Sequence, residues 1–432
     1  SSLGAVGLIK MDKKYDIVVF GATGFTGQYV VEEIARTIEE EKGLTWAIAG
    51  RNMQKLQAVL REASKQTGKD LDELPIIIAD IKSQDSLLEM AKQSRLVLNC
   101  VGPYRFFGDQ VLQACVEGKA HHIDISGEPG FLENTQLKYH SKAKENSIYI
   151  VGSCGFDSIP ADMGTLFTKD KFDGDLNDIE GFVGFETGPA GGKVNFGTWQ
   201  SAIYGFAHLK ETVAIRKALF TTKLPKPQHK QTKRRPLHYQ DAVQNWCLPF
   251  LGSDKSVVNR SQRYLYETDK NRPIQFNAYL RMPSLFVSIM TAFMGVVFGI
   301  MASFSFGRTL LEKFPGFFSF GTFSFEGPTR KQIEGCSFSY TFVGRGYPSK
   351  TSDPEEQHKD EPTKRIITRV DGPEPGYVAT PICMVQAGYA ILKETSKLPP
   401  QGGVYPPGAA FAKTSLIERL NKHNVKFTVT EG

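Results

Sequence analysis

Tyr15-Asp16-Ile17-Val18-Val19-Phe20 runs directly into Gly21-Ala22-Thr23-Gly24-Phe25-Thr26-Gly27, and this stretch decides the fold. Its first half is a short β-branched run, the kind that forms a strand buried on both faces. Its second half places a glycine at every third position, after which Val30, Ile34 and Ile38 mark one stripe of an amphipathic helix. Strand, glycine turn and helix in this order form the context of a dinucleotide fingerprint. Gly21 permits a tight turn, Gly24 lets the backbone approach a pyrophosphate, and Gly27 lets helix and strand pack closely. The free N–H groups of the helix start then face the phosphates. The whole loop, Gly21, Ala22, Thr23, Gly24, Phe25, Thr26 and Gly27, is assigned to the cofactor.

Strand and helix signals alternate downstream. Residues 45–49, 74–80, 96–101, 121–126 and 147–152 read as strands, separated by helical stretches near 52–66, 83–93, 108–117 and 133–144. Six strands with crossovers of this length predict an α/β unit over residues 11–160, a Rossmann domain with a doubly wound parallel sheet. The end of the second strand selects its cofactor. An NAD site carries Asp or Glu there to hold the ribose 2′-OH. This chain reads Ala49-Gly50-Arg51-Asn52, a guanidinium in place of the acid, with Lys55 one helical turn on. Arg51 can fork onto a 2′-phosphate and stack on adenine, so NADP(H) is favoured over NAD(H). Asp80 is read either as a border of the adenine or as the N-cap of the next helix.

The reactive ring of a cofactor in such a sheet lies beyond the carboxyl ends of the later strands. Three segments should converge there: Asn99-Cys100-Val101-Gly102-Pro103-Tyr104, Asp124-Ile125-Ser126-Gly127-Glu128, and Gly155-Phe156-Asp157-Ser158. Asn99, Val101, Gly102 and Pro103 are expected to flank the nicotinamide. Tyr104, Asp124, Glu128 and Asp157 are the candidates for proton delivery or substrate orientation, since a proton donor must sit within about 3 Å of the reacting atom. Two Tyr-x-x-x-Lys matches, Tyr266/Lys270 and Tyr389/Lys393, fall far beyond the first sheet and are set aside.

These segments carry a resemblance. Gly21 to Gly27, Ala49-Gly50-Arg51, Asn99 to Tyr104, Asp124 to Glu128 and Gly155 to Pro160 resemble the saccharopine dehydrogenase-like oxidoreductases. So do Gly376-Tyr377, Gly402-Gly403-Val404 and Pro407-Gly408-Ala409-Ala410 in the tail. The chain is also similar to the bacterial trans-acting enoyl reductases of glycolipid synthesis. The G-x-x-G-x-x-G spacing is the one associated with short-chain reductases and their relatives. The resemblance covers nearly the whole chain. It implies a Rossmann domain, a second α+β domain, NADP-type cofactor use and a membrane-lipid or lipid-droplet setting. It also implies that the tail, residues 372–432, returns to the nucleotide-binding half. True saccharopine dehydrogenases must hold an amino diacid, and no basic motif here maps onto such a site.

Residues 161–371 turn aromatic and glycine-rich. Strands at 183–187, 276–279, 320–326 and 337–344, with a helical connection at 197–220, predict a mostly antiparallel sheet for substrate or dimer contacts. Residues 223–235 hold six Lys/Arg and no acid, either a solvated loop or an attraction for anionic headgroups. Residues 351–365 read as a mobile loop. Residues 282–307 contain no charge, and seventeen of the 26 are apolar. About 20 apolar residues can cross a bilayer, but a single crossing would part the tail from the domain it rejoins. A hairpin lying in the lipid interface fits, helped by Phe314, Phe317 and Phe318. The alternative is a helix buried in the core or in a homodimer interface.

Composition narrows the function class. With 52 basic against 46 acidic residues the chain is mildly basic, and the basic run has no aromatic interleaving, so nucleic acid is not the expected partner. Six cysteines lie far apart without a C-x-x-C pair, as reduced thiols do, and no zinc spacing is present. Ser1 to Lys10 lack the build of a signal peptide, and Met11-Asp12-Lys13-Lys14 reads as a natural start. The expectation is an NADP-dependent oxidoreductase on a hydrophobic, lipid-like substrate, at a lipid droplet or the cytosolic face of a membrane. The competing class is a non-catalytic structural protein of such a surface that retains the Rossmann fold.

Overall fold

The computed structural model describes residues 13–432; Ser1 to Lys10, and Met11 and Asp12 of the expected start, lie outside the described residues. The first sheet contains β1 (Tyr15–Phe20), β2 (Trp46–Gly50), β3 (Ile76–Ile78), β4 (Ser94–Asn99), β5 (His121–Asp124), β6 (Tyr149–Val151) and the late strand β15 (Gly403–Tyr405). All its pairings are parallel, in the order β15-β6-β5-β4-β1-β2-β3. Alternation along β1 divides two cores. Ile17 and Val19 pack with α1 (Phe25–Thr37), α2 (Met53–Thr67) and the tail helix α14 (Thr380–Lys393). Val18 and Phe20 pack with α3 (Gln84–Gln93) and α4 (Tyr104–Glu117). α5 (Pro129–Glu145) follows β5. The strand order reverses between β1 and β4, which opens the ligand crevice there.

The second sheet is built from β7 (Asp175–Glu186), β9 (His238–Gln240), β10 (Asn245–Pro249), β11 (Gln275–Met282), β13 (Ser337–Tyr347), β14 (Lys364–Pro373) and β16 (Lys426–Glu431). Its order is β16-β14-β13-β7-β11-β10-β9; β7 and β11 run parallel and the other neighbours antiparallel. α6 (Ile159–Lys171), α9 (Asp254–Asp269), α15 (Pro407–Phe411) and α16 (Leu416–Lys422) fill the seam between the sheets, and α13 (Arg330–Glu334) precedes β13.

Several boundaries differ from those expected. The tail divides: α14 and β15 join the first domain, but β16 pairs with β14, with Phe427 opposite Val370. Residues 320–326 supply only β12 (Phe323–Ser324), paired with β8 (Val194–Asn195), because Phe320 and Gly321 both have positive φ and interrupt the strand. The helix expected at 197–220 is two, α7 (Phe196–Ala207) and α8 (Leu209–Leu219), broken at His208 (φ −121°, ψ 25°). The uncharged stretch forms α10 (Leu285–Ala302), followed by α11 (Ser305–Lys313) and α12 (Pro315–Phe318). The loop read as mobile is tied down: His358 Nε2 lies 2.8 Å from Asp175 Oδ2 and its ring stacks on Tyr347.

Candidate functional site

The glycine loop is shaped by contacts that a Cβ would break. Gly21 has φ +82°, and a side chain there would meet Val101 Cγ2 at 2.6 Å, so the loops after β1 and β4 touch. At Gly27 a Cβ would lie 2.1 Å from the Gly21 carbonyl oxygen, which explains the close approach of helix and strand. Gly24 differs: it is exposed, and its Cβ would meet only the Gly21 oxygen at 3.1 Å and the Cys100 oxygen at 4.0 Å. α1 starts with no side-chain cap and no acid in its first turn. An open cradle over an uncapped helix start fits a pyrophosphate. Phe25 turns away from it, packing on Tyr377 with ring centroids 4.8 Å apart.

Arg51 follows β2, is exposed, and has no ion pair among the described residues. Asn52 next to it caps α2 by accepting the Lys55 N–H at 2.9 Å. The guanidinium is therefore free for a 2′-phosphate while its neighbour fixes the backbone. Asp80 is not the helix cap: Ser83 caps α3, and Asp80 Oδ1 accepts the Lys82 N–H at 3.0 Å.

The structure brings the loops after β4, β5 and β6 together, and it assigns their polar groups unequal tasks. Asn99 is buried; its Oδ1 accepts the Val101 N–H at 3.0 Å and its Nδ2 meets His122 Nε2 at 3.3 Å. Burial pushes His122 down to about 3, leaving a neutral ring to accept that amide. This pair shapes the turn through Val101, Gly102 and Pro103. The Tyr104 hydroxyl donates to the Asn99 carbonyl at 2.8 Å, and burial raises its phenol well above the usual range. Glu128 accepts the N–H groups of Tyr104 at 3.0 Å and Arg105 at 2.9 Å, and the Ser201 hydroxyl of α7 at 2.9 Å. That carboxylate caps α4, which is why the helix begins at Tyr104 rather than near residue 108. Asp124 Oδ1 accepts the N–H groups of Ser126 at 3.0 Å and Ser153 at 3.1 Å, and burial pushes its carboxyl up to about 7. Tyr104, Asp124 and Glu128 thus hold loop backbone. Asp157 is the exception: half-buried, with Oδ2 only 3.0 Å from where Gly127 would carry a Cβ, and pushed up to about 6 by burial.

Around this mouth lie groups that no motif announced. Asp254 of α9, Tyr340 of β13 and Ser201 of α7 all reach it from the second domain. The rejected Tyr-x-x-x-Lys tyrosines are elsewhere: the Tyr389 hydroxyl meets Thr37, and Tyr266 meets Glu355. All six cysteines are free.

α10 bears the apolar face. Only Ser288 and Ala302 of its residues are buried, which rules out the reading of a core helix. Phe286 (73% exposed), Phe293 (60%), Val296 (61%) and Ile300 (60%) lie on one outward stripe. Phe306 and Phe317, both exposed, lie in the helices that follow. The inner side packs on α7, with Phe298 4.8 Å from Trp199 and 5.4 Å from Phe206 between centroids. Before α10, β11 lies in the second sheet; after it, Leu311 of α11 is buried and its carbonyl accepts Trp199 Nε1–H. The other side of α7 meets the mouth, through Ser201 and through Tyr204, whose ring lies 4.7 Å from Phe106. The basic stretch is placed differently. Pro225 and Pro227 share a cleft with Leu176 and Arg272 near the start of β11, roughly 26 Å of strand from its end, where α10 begins. Arg234 forks onto Glu180 at 2.9 and 2.8 Å.

Comparison with known proteins agrees with this architecture. Residues 17–151 match the family model described as saccharopine dehydrogenase NADP binding domain. A human saccharopine dehydrogenase-like oxidoreductase is 49% identical over 96% of this chain and 97% of its own length. A lipid droplet localized protein of Caenorhabditis elegans is 39% identical over 96% of this chain and 98% of its own. Apo saccharopine dehydrogenase (L-Glu forming) from Saccharomyces cerevisiae superposes with a TM-score of 0.53 at 11% identity, covering 96% of this chain and 100% of that one. The last likeness shows a shared fold. The chain belongs to the saccharopine dehydrogenase-like oxidoreductases, and its first domain is an NADP-binding domain.

Proposed function

We propose that this member of the saccharopine dehydrogenase-like oxidoreductases reduces or oxidises a hydrophobic, lipid-like substrate while α10 rests on a membrane or lipid-droplet surface. The observation that carries the reading is α10 itself: eighteen uncharged residues, of which 11% are buried, packed through α7 against the rim of the cofactor crevice. So large an exposed apolar patch is rare on a soluble monomer. A helix anchored at both ends in one domain lies in an interface rather than crossing it. The name of the C. elegans relative agrees with a lipid-droplet setting. The lipid contact rests on α10, since the basic stretch begins at the far end of β11.

Bound NADPH would supply a hydride at the mouth. Gly21 to Gly27 would hold its pyrophosphate and Arg51 its 2′-phosphate, with Asn99, Val101, Gly102 and Pro103 beside the ring. Asp157 would move the proton, because Tyr104, Asp124 and Glu128 are committed to loop backbone. Burial raises its carboxyl toward the range where a group can both give and take a proton. The test is NADPH oxidation with long-chain enoyl, keto and aldehyde lipids presented in phosphatidylcholine vesicles. Turnover should fall by about a hundredfold or more in Asp157→Asn. Failure of every such lipid to oxidise NADPH would refute the reading.

A further inference from the structure

We propose that Asp254, reaching in from the second domain, shares one proton with Asp157, and that Tyr340 fixes this pair as the proton reserve of the mouth. The role at the mouth rests on Asp157 being the proton-moving group of the proposed function; the pair itself does not. Asp254 and Tyr340 are positioning residues here, since they act through Asp157.

The two chain segments are joined by a buried contact. Ser158, on the segment after β6, and Ser253, the N-cap of α9, have their hydroxyls 2.9 Å apart. Their neighbours Asp157 and Asp254 are thereby brought near each other, close enough for the charge of Asp157 to act on Asp254. Asp254 is 1% exposed. Its Oδ2 accepts the Tyr340 hydroxyl at 2.9 Å, but its Oδ1 is buried with no hydrogen-bond partner. An ionised carboxylate left so is costly. One proton between facing carboxyls removes the second charge and supplies the missing donor.

The surroundings favour this arrangement. The groups facing Asp254 are Asp157 and Ser158, Tyr340 of β13, and Asp162 of α6. Among the described residues neither Asp157 nor Asp254 has an ion pair with a cation. Arg260, the buried cation nearby, is drawn toward Glu133, Asp162 and Asp124. Asp162 Oδ2 already accepts Ser261 Oγ–H and the Gly408 N–H, each at 2.6 Å. Tyr340 is 1% exposed and stacks on Phe342 with centroids 4.7 Å apart; burial keeps its phenol protonated, so it donates at every working pH. Burial raises both acids, and for Asp254 the neighbouring Asp157 adds to it. On its other side Asp157 lies against Gly127, at the mouth.

In the reductive direction, with the hydride coming from NADPH, the O–H bond of Asp157 breaks as the substrate atom takes the proton. The bonding electrons stay on the carboxylate. The pair, which held that single proton, is left doubly ionised until Asp157 takes a proton from solvent and shares it with Asp254 again. The oxidative direction is the reverse.

Infrared titration of the full chain, without substrate, tests the pairing. Wild type should show a protonated-carboxyl band that persists at pH 7 and titrates above it. That component should disappear from difference spectra of both Asp254→Asn and Asp157→Asn. The acid left in each variant should titrate about one pH unit or more lower, freed of its like-charged neighbour. Tyr340→Phe should keep the band and move its loss upward, because the anion loses its donor. Circular dichroism would verify the fold of each variant. If Asp254→Asn does not fold, Asp157→Asn and Tyr340→Phe still decide the matter. Loss of the band in Asp254→Asn with no change in Asp157→Asn would overturn the pair, and so would its absence in wild type. The expected spectra, together with undiminished lipid-dependent NADPH oxidation by Asp157→Asn, would support the pair and overturn the proton role given to Asp157.

Discussion

Replacing Phe286, Phe293, Val296 and Ile300 together by serine should release the protein from lipid without disturbing its nucleotide domain. These four side chains are 60–73% exposed and share the outward stripe of α10, whereas Phe298 is packed on Trp199 and Phe206 and must be kept. Full burial of a large apolar side chain contributes about 1.5–3 kcal/mol. Scaled by the exposed fraction, the four together would give roughly 4–8 kcal/mol on entering lipid. At about 1.4 kcal/mol per decade, their loss weakens partitioning by roughly a thousandfold or more. The assay is flotation with phosphatidylcholine vesicles or triolein emulsion, with NADPH affinity measured on the same samples. Wild type should float and the variant should sediment, with equal NADPH affinity. A variant that floats like wild type would refute the assignment of this face to lipid. A wild type that stays in solution as a dimer, with the variant a monomer, would assign the face to a second copy instead.

Four further outcomes follow from the nucleotide domain. Arg51→Ala should weaken NADPH binding by about tenfold to a hundredfold, the loss of a charge-assisted contact, and leave NADH unchanged; fluorescence titration with both cofactors would check it. Gly24→Val should fold and lose the dinucleotide, since its side chain would enter the open cradle. Gly27→Ala should instead lower the melting temperature, because its Cβ would meet the Gly21 oxygen at 2.1 Å; calorimetry with and without NADPH separates the two. Glu33 is buried and pushed up to about 7. Its folded value lies above the unfolded one, so stability is lost as pH rises from about 4.5 through 7. Glu33→Gln should therefore raise the melting temperature at pH 8 and have little effect near pH 4.5.

The nucleotide half was legible because its determinants are local. The β1 run, the glycine triplet and Arg51 each act through backbone geometry or one exposed charge, and each occupies the place its spacing requires. The polar residues of the mouth were legible as a set but not by task. Tyr104, Glu128 and Asp157 look alike as strand-end polar residues. Only the fold shows that Glu128 faces the N-terminus of α4 and that the Tyr104 hydroxyl meets the Asn99 carbonyl. Asp254 and Tyr340 carry no local signal, since they lie about a hundred residues or more beyond Asp157 and reach it only through packing of α9 and β13.

The sequence by itself determined the parallel sheet, the dinucleotide loop, the absence of an acid after β2 and the uncharged run at 282–307. Those features depend on side-chain periodicity and on residues adjacent in the chain. Tertiary structure decided the rest. It sent β16 to the second sheet and turned the stripe of α10 outward. It set the start of the basic stretch at the other end of β11 and brought the buried Asp254 near the half-buried Asp157 across the domain seam. Each of these depends on which surfaces remain uncovered, or which charges meet, once distant segments pack, and no window of sequence contains that information.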